Sequence, residues 1–340
     1  MKIWILFLSL LFLKCNADIS KDIKLIVFEQ SKKFTINDSL KFNISNKKNH
    51  PIDSVVFRLD GEQVNSGVAL RNKSLGLYKL SASVYASGKK LNYDQEISIV
   101  SAVKPKLFTY TIINEYPHDK TAYTQGLEFY LDTLYESTGI RGKSSLRKVN
   151  FRTGEIYKRI ALDKVYFGEG ISILNDRLYQ LTWHGNMGFE YDLDQFKMKR
   201  SFAYQDSKEG WGLCNDGEKL YKSDGSHQIW ILDPENQKEI GKIQVMTHNN
   251  ALKKINELEW VNGKIYANTY QFKKDVGIII NPKNGAVEGV IDFTGLKSKV
   301  EQLSNLDVLN GIAYHPIRKS FFVTGKNWSK LFEVKIIPKK

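Results

Sequence analysis

The chain has 340 residues, 42% hydrophobic and 26% charged, with a formal charge of +13. That length is too great for one small core and sufficient for two domains, and the composition excludes wholesale disorder. The lysines are dispersed along the chain, which for an exported protein favours attraction to anionic cell surfaces over nucleic-acid binding, and a simply solvated basic surface over both.

Residues 1–17, "MKIWILFLSLLFLKCNA", carry one lysine, an apolar run from Ile3 to Leu13, then small or polar residues. That is the pattern of a secretory signal, too short to span a bilayer comfortably, with cleavage after Ala17. It implies an exported protein of the periplasm or cell envelope. A second reading makes Cys15 a lipidated terminus that attaches the protein to the membrane. Lys14 just before Cys15 speaks against it, because such sites prefer a small residue there. After export Cys214 is the one secure cysteine, so no internal disulfide forms and stability must come from burial. Cys214 itself reads as a buried, inert thiol.

Residues 20–101 alternate in short runs, "IKLIVFE", "SLKFNIS", "SVVFRLDGEQV", "LYKLSASVYASG" and "QEISIVSAV", parted by "NDS", "NKKNHP", "DGE" and "SGKK". Short strands at this spacing predict a small antiparallel β-sandwich of immunoglobulin-like type, by default a spacer or adhesion module. "VKPKL" (103–107) marks the boundary to a second domain over 105–338.

From 107 onward the chain repeats itself. "GLEFYLDTLYEST", "GISILNDRLYQLT", "GLCNDGEKLYKSD", "LEWVNGKIYANT" and "GIAYHPIRKSFFVTG" each read as strand, polar turn, strand. Their aromatic positions Tyr135, Tyr179, Tyr221, Tyr266 and Phe322 lie 44, 42, 45 and 56 residues apart. A second series follows: "VNFRTGEIYKRI", "YDLDQFKMKRS", "LDPENQKEIGKI", "INPKNGAVEGVI" and the terminal "LFEVKI". The first four are hairpins with turn residues at "RTG", "DLDQ", "DPEN" and "PKNG". Two hairpins per unit of roughly 45 residues is the grammar of a β-propeller blade. The predicted fold class is therefore all-β, a five-bladed β-propeller preceded by the sandwich. "KLFTYTIINEY" is expected to close the ring with the last blade.

If the first strand of each unit lines the channel, the residues before it and those after its partner share one mouth. One set is Gln125, Glu169, Trp211, Glu257 with Asn256, and Asn310. The other includes Thr138, Trp183, Asp224, Tyr270 and Lys326. Aromatic walls with a few convergent polar groups describe a small-ligand pocket. Glu169 is the odd residue in "KVYFGEGISIL", a carboxylate between two glycines at the start of an apolar strand. Gly168 and Gly170 are expected to leave room for a substrate backbone beside it.

Eleven segments in order, "YPHDKTAYTQGLEF", "LYESTG", "GKSSLRKVN", "FGEGI", "LTW", "EGWGL", "SDGS", "NELEW", "IYAN", "LNGIAY" and "VTGKNW", resemble the plant- and bacterial-type glutaminyl-peptide cyclotransferases. These are the five-bladed propeller glutaminyl cyclases, and the likeness covers about residues 107–335. It implies conversion of the N-terminal glutamine of peptides or proteins to pyroglutamate with release of ammonia. It also implies Glu169 as general acid/base and Lys326 as a catalytic donor to the oxyanion or carbonyl. Gln125, with Tyr123 beside it, Asn256, Trp183 and Trp211 are then substrate-contacting positions. Glu257 is either structural or a holder of the substrate amine, and Asn310 belongs to the same mouth. The family usually carries Trp where this chain has Tyr270, which changes one stacking face.

The resemblance implies a metal-independent enzyme with no cofactor, leaving room for a structural ion in the channel; a monomer is expected. The six histidines form no ligand-spaced pair. Ser144 and Ser145 in "GKSSL" read as turn residues, no His with a carboxylate partner being visible. Two other classes stay open: a propeller that binds peptides or glycans without turnover, beside an adhesion module, and a calcium-dependent lactonase.

Overall fold

A computed structural model describes residues 18–339; the predicted leader and Cys15 lie outside the described residues. Among these residues the chain is all-β, with two single 3-10 turns. It divides into two compact units. One runs up to Lys32 and adds Ser39–Ala69 and Tyr78–Ile97; the other holds Lys33–Asp38, Leu70–Leu77 and everything from Ser98. The division is thus no single cut near residue 103, because folding groups two short early stretches with the later chain.

The first nine strands are β1 (Ile23–Val27), β2 (Lys33–Phe34), β3 (Ser39–Leu40), β4 (Phe42–Asn46), β5 (Ile52–Leu59), β6 (Glu62–Gln63), β7 (Val68–Ala69), β8 (Gly76–Ala86) and β9 (Lys89–Ile99). The sheet order is β9-β8-β5-β6, with β1–β4 and β3–β7 as antiparallel pairs and β2 parallel to the end of β9. Ile19, Ile23, Val84 and Ala86 form the first unit's apolar cluster.

In the second unit the repeats become sheets. β11 (Thr124–Tyr130), β12 (Thr133–Thr138), β13 (Ser145–Val149) and β14 (Ile156–Ala161) make the first antiparallel meander. β15 (Phe167–Leu174), β16 (Arg177–Trp183), β17 (Met187–Asp192) and β18 (Lys197–Ala203) make the second. β19 (Leu213–Asn215), β20 (Leu220–Ser223), β21 (Gln228–Leu232) and β22 (Glu239–Gln244) make the third. An eight-stranded sheet joins β23 (Ile255–Val261), β24 (Lys264–Thr269), β25 (Val276–Ile280) and β26 (Val287–Asp292) to β27 (Leu309–His315), β28 (Ser320–Gly325), β29 (Lys330–Pro338) and β10 (Lys106–Pro117). β10 pairs antiparallel with β29, as expected of the strand before the first repeat. It also meets β26 in parallel over Lys106–Phe108, which fuses two meanders into one sheet.

The outer turns have a local cause. Asn150, Asp192, Asp233 and Asn281 open them, and each side-chain Oδ1 accepts a backbone N–H two or three residues on. These are Asx turns, which fix the hairpin register from within the sequence. Neighbouring sheets share apolar clusters. Leu146 packs with Ile171 and Phe189, Tyr179 with Leu213 and Trp230, and Tyr221 with Leu258 and Ile278. Ile291 packs with Ile312 and Phe332, and Phe322 with Leu127 and Phe151. β11, β15, β19, β23 and β27 follow one another in contact, and β27 returns to β11. Each buried Leu, Ile or Phe contributes roughly 1.5–3 kcal/mol, so the ring is held by five apolar seams rather than by crosslinks.

Candidate active site

The mouth residues lie where the ladders break. Register shifts fall at Thr124/Gly126, Gly168/Ile171, Ile255/Leu258 and Leu309/Ile312. Gln125, Glu169, Asn256 and Asn310 are among the residues these bulges leave outside the pairing, with Gly170, Glu257 and Gly311. A bulge re-aims a side chain that regular alternation would bind to one face. The same irregularity at the same repeat position explains how four residues from four hairpins converge.

They border a cavity of about 170 Å3 lined by Tyr123, Gln125, Phe167, Glu169, Trp183, Trp211, Asn256, Tyr270 and Lys326. Eight of the ten residues expected from sequence meet there. Glu169 is 5% exposed, and Gln125 Nε2 donates to its Oε1 at 3.2 Å. Burial pushes the Glu169 carboxyl well above the ordinary carboxylate range; the Lys326 charge opposes this and the Glu209 charge adds to it. A carboxyl with its proton affinity raised in this way is suited to taking up a proton and returning it.

Lys326 is buried just past β28, its Nζ 4.8 Å from the Tyr123 ring centroid and 4.9 Å from that of Tyr270. Burial lowers its proton affinity, while Glu169 and Asp307 act against that. The Tyr123 hydroxyl donates to Asp307 Oδ2 at 2.7 Å, which with burial raises the phenol's proton affinity. Asn256 Oδ1 is buried without a hydrogen-bond partner. A buried carbonyl oxygen in a cavity wall is an acceptor set for an N–H.

Glu257 and Asn310 do not line the cavity. In Gly126, Gly170, Gly212 and Gly311 the residue after the mouth position is glycine, and only β23 puts a side chain there, Glu257. That carboxylate is fully buried and accepts the backbone N–H groups of Leu127 at 3.2 Å and Ile312 at 2.9 Å. It ties β11 and β27 to β23, so its expected substrate role gives way to the structural one. Asn310 donates to the Thr124 carbonyl and to Gln125 Oε1, both at 3.0 Å. With that oxygen taken, the Gln125 amide must turn its NH2 toward Glu169. Thr138 and Asp224 from the second mouth set also stay out, bonded to Ser145 and to Trp230 and Ser226.

The glycines flanking Glu169 have a different cause from the one expected. A Cβ on Gly170 would stand 2.5 Å from the Trp211 carbonyl oxygen, and one on Gly168 2.8 Å from that of Thr138. They let neighbouring strands touch rather than making room for substrate. Phe167, Glu209 and Asp307 are site neighbours that the sequence reading passed over. Phe167 sits two residues from Glu169 and Glu209 two from Trp211, so adjacency within "FGEG" and "EGWGL" was the available signal.

Ser144 Oγ accepts the Gly168 amide and Ser145 Oγ accepts from Arg147 Nε, as turn and strand residues do. Cys214 is a buried free thiol whose proton burial holds tightly. Glu128 and Glu259 line a separate pocket with Ser172, Asn215 and Tyr314; among the described residues no group of three His, Cys, Asp or Glu is arranged to hold a metal ion.

The glutamine cyclotransferase family model matches residues 82–336. The chain is 40% identical over 228 residues to a glutaminyl-peptide cyclotransferase of Arabidopsis thaliana, covering 66% of this chain and 70% of that one. A crystal structure of the Myxococcus xanthus glutaminyl cyclase superposes with a TM-score of 0.65 at 35% identity, over 70% of this chain and all of that one. On this extent of matching, the chain belongs to the glutamine cyclotransferase family.

Proposed function

We propose that the cavity takes the N-terminal glutamine of a peptide and that Glu169 carries the proton that closes its ring. The chain is a glutaminyl-peptide cyclotransferase: N-terminal glutamine becomes pyroglutamate and ammonia leaves. The observation that carries the proton role is Glu169 itself, buried in the cavity wall with raised proton affinity.

The α-amine has a free pKa of about 7.7–8.0, so a usable fraction is neutral near pH 7. Its nitrogen attacks the γ-carboxamide carbon, the N–C bond forms, and the carbonyl electron pair moves onto oxygen. Glu169 takes the proton that the amine sheds; Gln125 holds Oε1, leaving Oε2 for the transfer. Lys326 Nζ donates to the oxyanion. As the carbonyl re-forms, the carbon–nitrogen bond to the carboxamide nitrogen breaks. Glu169 returns its proton to that nitrogen, ammonia departs, and the carboxylate is restored. The reaction is intramolecular, so holding amine and carboxamide together supplies much of the acceleration. The indoles of Trp183 and Trp211 and the rings of Phe167 and Tyr270 do that holding, and Asn256 Oδ1 accepts an N–H of the bound residue. The substrate's own amine supplies the nucleophile and the protein supplies proton transfer and hydrogen bonds, which asks for no cofactor; unchanged rates after chelator treatment are expected.

The second unit is read as a five-bladed propeller, supported by the closed order of first strands and the five seams. The first unit is read as the immunoglobulin-like module, supported by its β9-β8-β5-β6 sheet. Residues 1–17 are read as the export leader, which places the substrates among exported proteins. A Gln-initiated dipeptide incubated with the protein should release ammonia at pH 6–9. No ammonia anywhere in that range would overturn the enzyme reading.

A further inference from the structure

Two of the cavity's walls share one support. Trp183 ends β16 and Trp211 precedes β19, so they come from different sheets. Glu209 Oε2 accepts both indole Nε1–H groups, from Trp183 at 2.9 Å and from Trp211 at 2.7 Å. An indole N–H can only donate. One oxygen therefore sets the spacing of two rings that line the substrate cavity, while Glu209 itself does not line it.

We propose that Glu209 is a positioning residue for the cyclisation: its carboxylate clamps the Trp183 and Trp211 indoles as a pair and keeps a negative charge within electrostatic reach of Glu169. This rests on the function proposed above.

The segment that carries Glu209 is itself pinned. The fully buried Lys222 Nζ bonds Ser207 Oγ and reaches the Glu209 carbonyl oxygen and Glu239 Oε1, each at 3.4 Å. The same ammonium lies 3.7 Å from the Tyr204 ring centroid. The Tyr204 hydroxyl accepts the Thr182 amide at 2.9 Å and donates to the Thr182 carbonyl at 3.1 Å, next to Trp183. A Cβ on Gly210 would collide with the Tyr204 hydroxyl oxygen, so glycine is required beside Glu209. Lys222 and Tyr204 thus fix the backbone on both sides of the clamp, and Glu209 fixes the rings.

Charge is the second part of the role. Glu169 is faced by Lys326, Glu209, the Gln125 amide and the phenols of Tyr123, Tyr204 and Tyr270. Among these Glu209 is the carboxylate, and a like charge strengthens a carboxyl's hold on its proton. His184 Nδ1 stands 3.5 Å from Glu209 Oε1 on the other side.

Three variants separate clamp from charge, each assayed by ammonia release from Gln-initiated dipeptides across pH 6–9. E209A loses the acceptor, so substrate holding weakens and KM should rise about tenfold or more with kcat changed much less. E209Q keeps a carbonyl oxygen of the same reach, so KM should return to within about threefold of wild type. Its acid limb of kcat/KM should move to lower pH, because Glu169 then ionises more readily. E209D keeps the charge but withdraws the oxygen by one methylene, and should raise KM without moving the limb; it replaces E209A if that variant does not fold. An unchanged KM in E209A or E209D overturns the clamp, as does E209Q behaving like E209A. An unmoved acid limb in E209Q overturns the charge role. Failure of the wild type to release ammonia would instead strike the function proposed above.

Discussion

The cavity wall and the strand contacts beside it both hold a buried carboxyl, and the two carboxyls have different partners. Glu169 in the cavity wall and Glu257 at the strand contacts are each pushed well above the ordinary carboxylate range, chiefly by burial. Glu257 accepts two backbone amides from neighbouring strands. Glu169 accepts one side-chain amide and borders a cavity walled by aromatic rings. Raised proton affinity alone therefore does not mark a catalytic group. What decides is whether the remaining lone pairs are committed to the fold or face a space where substrate fits.

The largest test of this contrast is Glu169→Gln, which should lower kcat/KM at least ~10²-fold with the fold intact. Near-normal ammonia release from that variant would mean the mouth carboxylate is not the proton carrier. Glu257→Ala should do the reverse. It strands the amides of Leu127 and Ile312, and each unsatisfied buried donor costs about 1–3 kcal/mol. The melting temperature should fall while kcat per folded molecule holds; a loss of activity without a loss of stability would erase the distinction. Gly170→Ala should destabilise by about 1–3 kcal/mol as strands are forced apart at Trp211. A neutral effect there would restore the idea that this glycine serves the substrate.

A smaller effect is expected from pH. Burial raises the carboxyl of Glu128, half-buried in a separate pocket, to about 8. A carboxyl raised on folding binds protons more tightly in the native state, so its contribution to stability is present below the unfolded value and is lost as pH rises toward about 8. Glu128→Gln should flatten melting temperature against pH over that window, and an unchanged slope would count against it.

Much of this arrangement was legible in the chain. The five strand–turn–strand segments became β11–β12, β15–β16, β19–β20, β23–β24 and β27–β28, and β10 joined β29. Local chemistry suffices for that: alternation sets the strands, and Asn150, Asp192, Asp233 and Asn281 cap the turns with their own side chains. The site residues were legible as positions, because a repeat carries its register with it. Their directions were not. Asn256 and Glu257 are neighbours in sequence, yet one lines the cavity and the other binds β11 and β27.

The sequence by itself therefore determined the hairpins, their order and the convergence of Gln125, Glu169, Trp183, Trp211 and Lys326 on one end. Those follow from period-2 alternation, turn residues and a repeat near 45 residues, all short-range properties. Only the tertiary structure decided which carboxylate keeps a lone pair for substrate, why Gly170 must be glycine, and that Glu209 spans two indoles. Each of these depends on a bulge or on the approach of another sheet, and contacts between units distant in sequence leave no periodic trace in the chain.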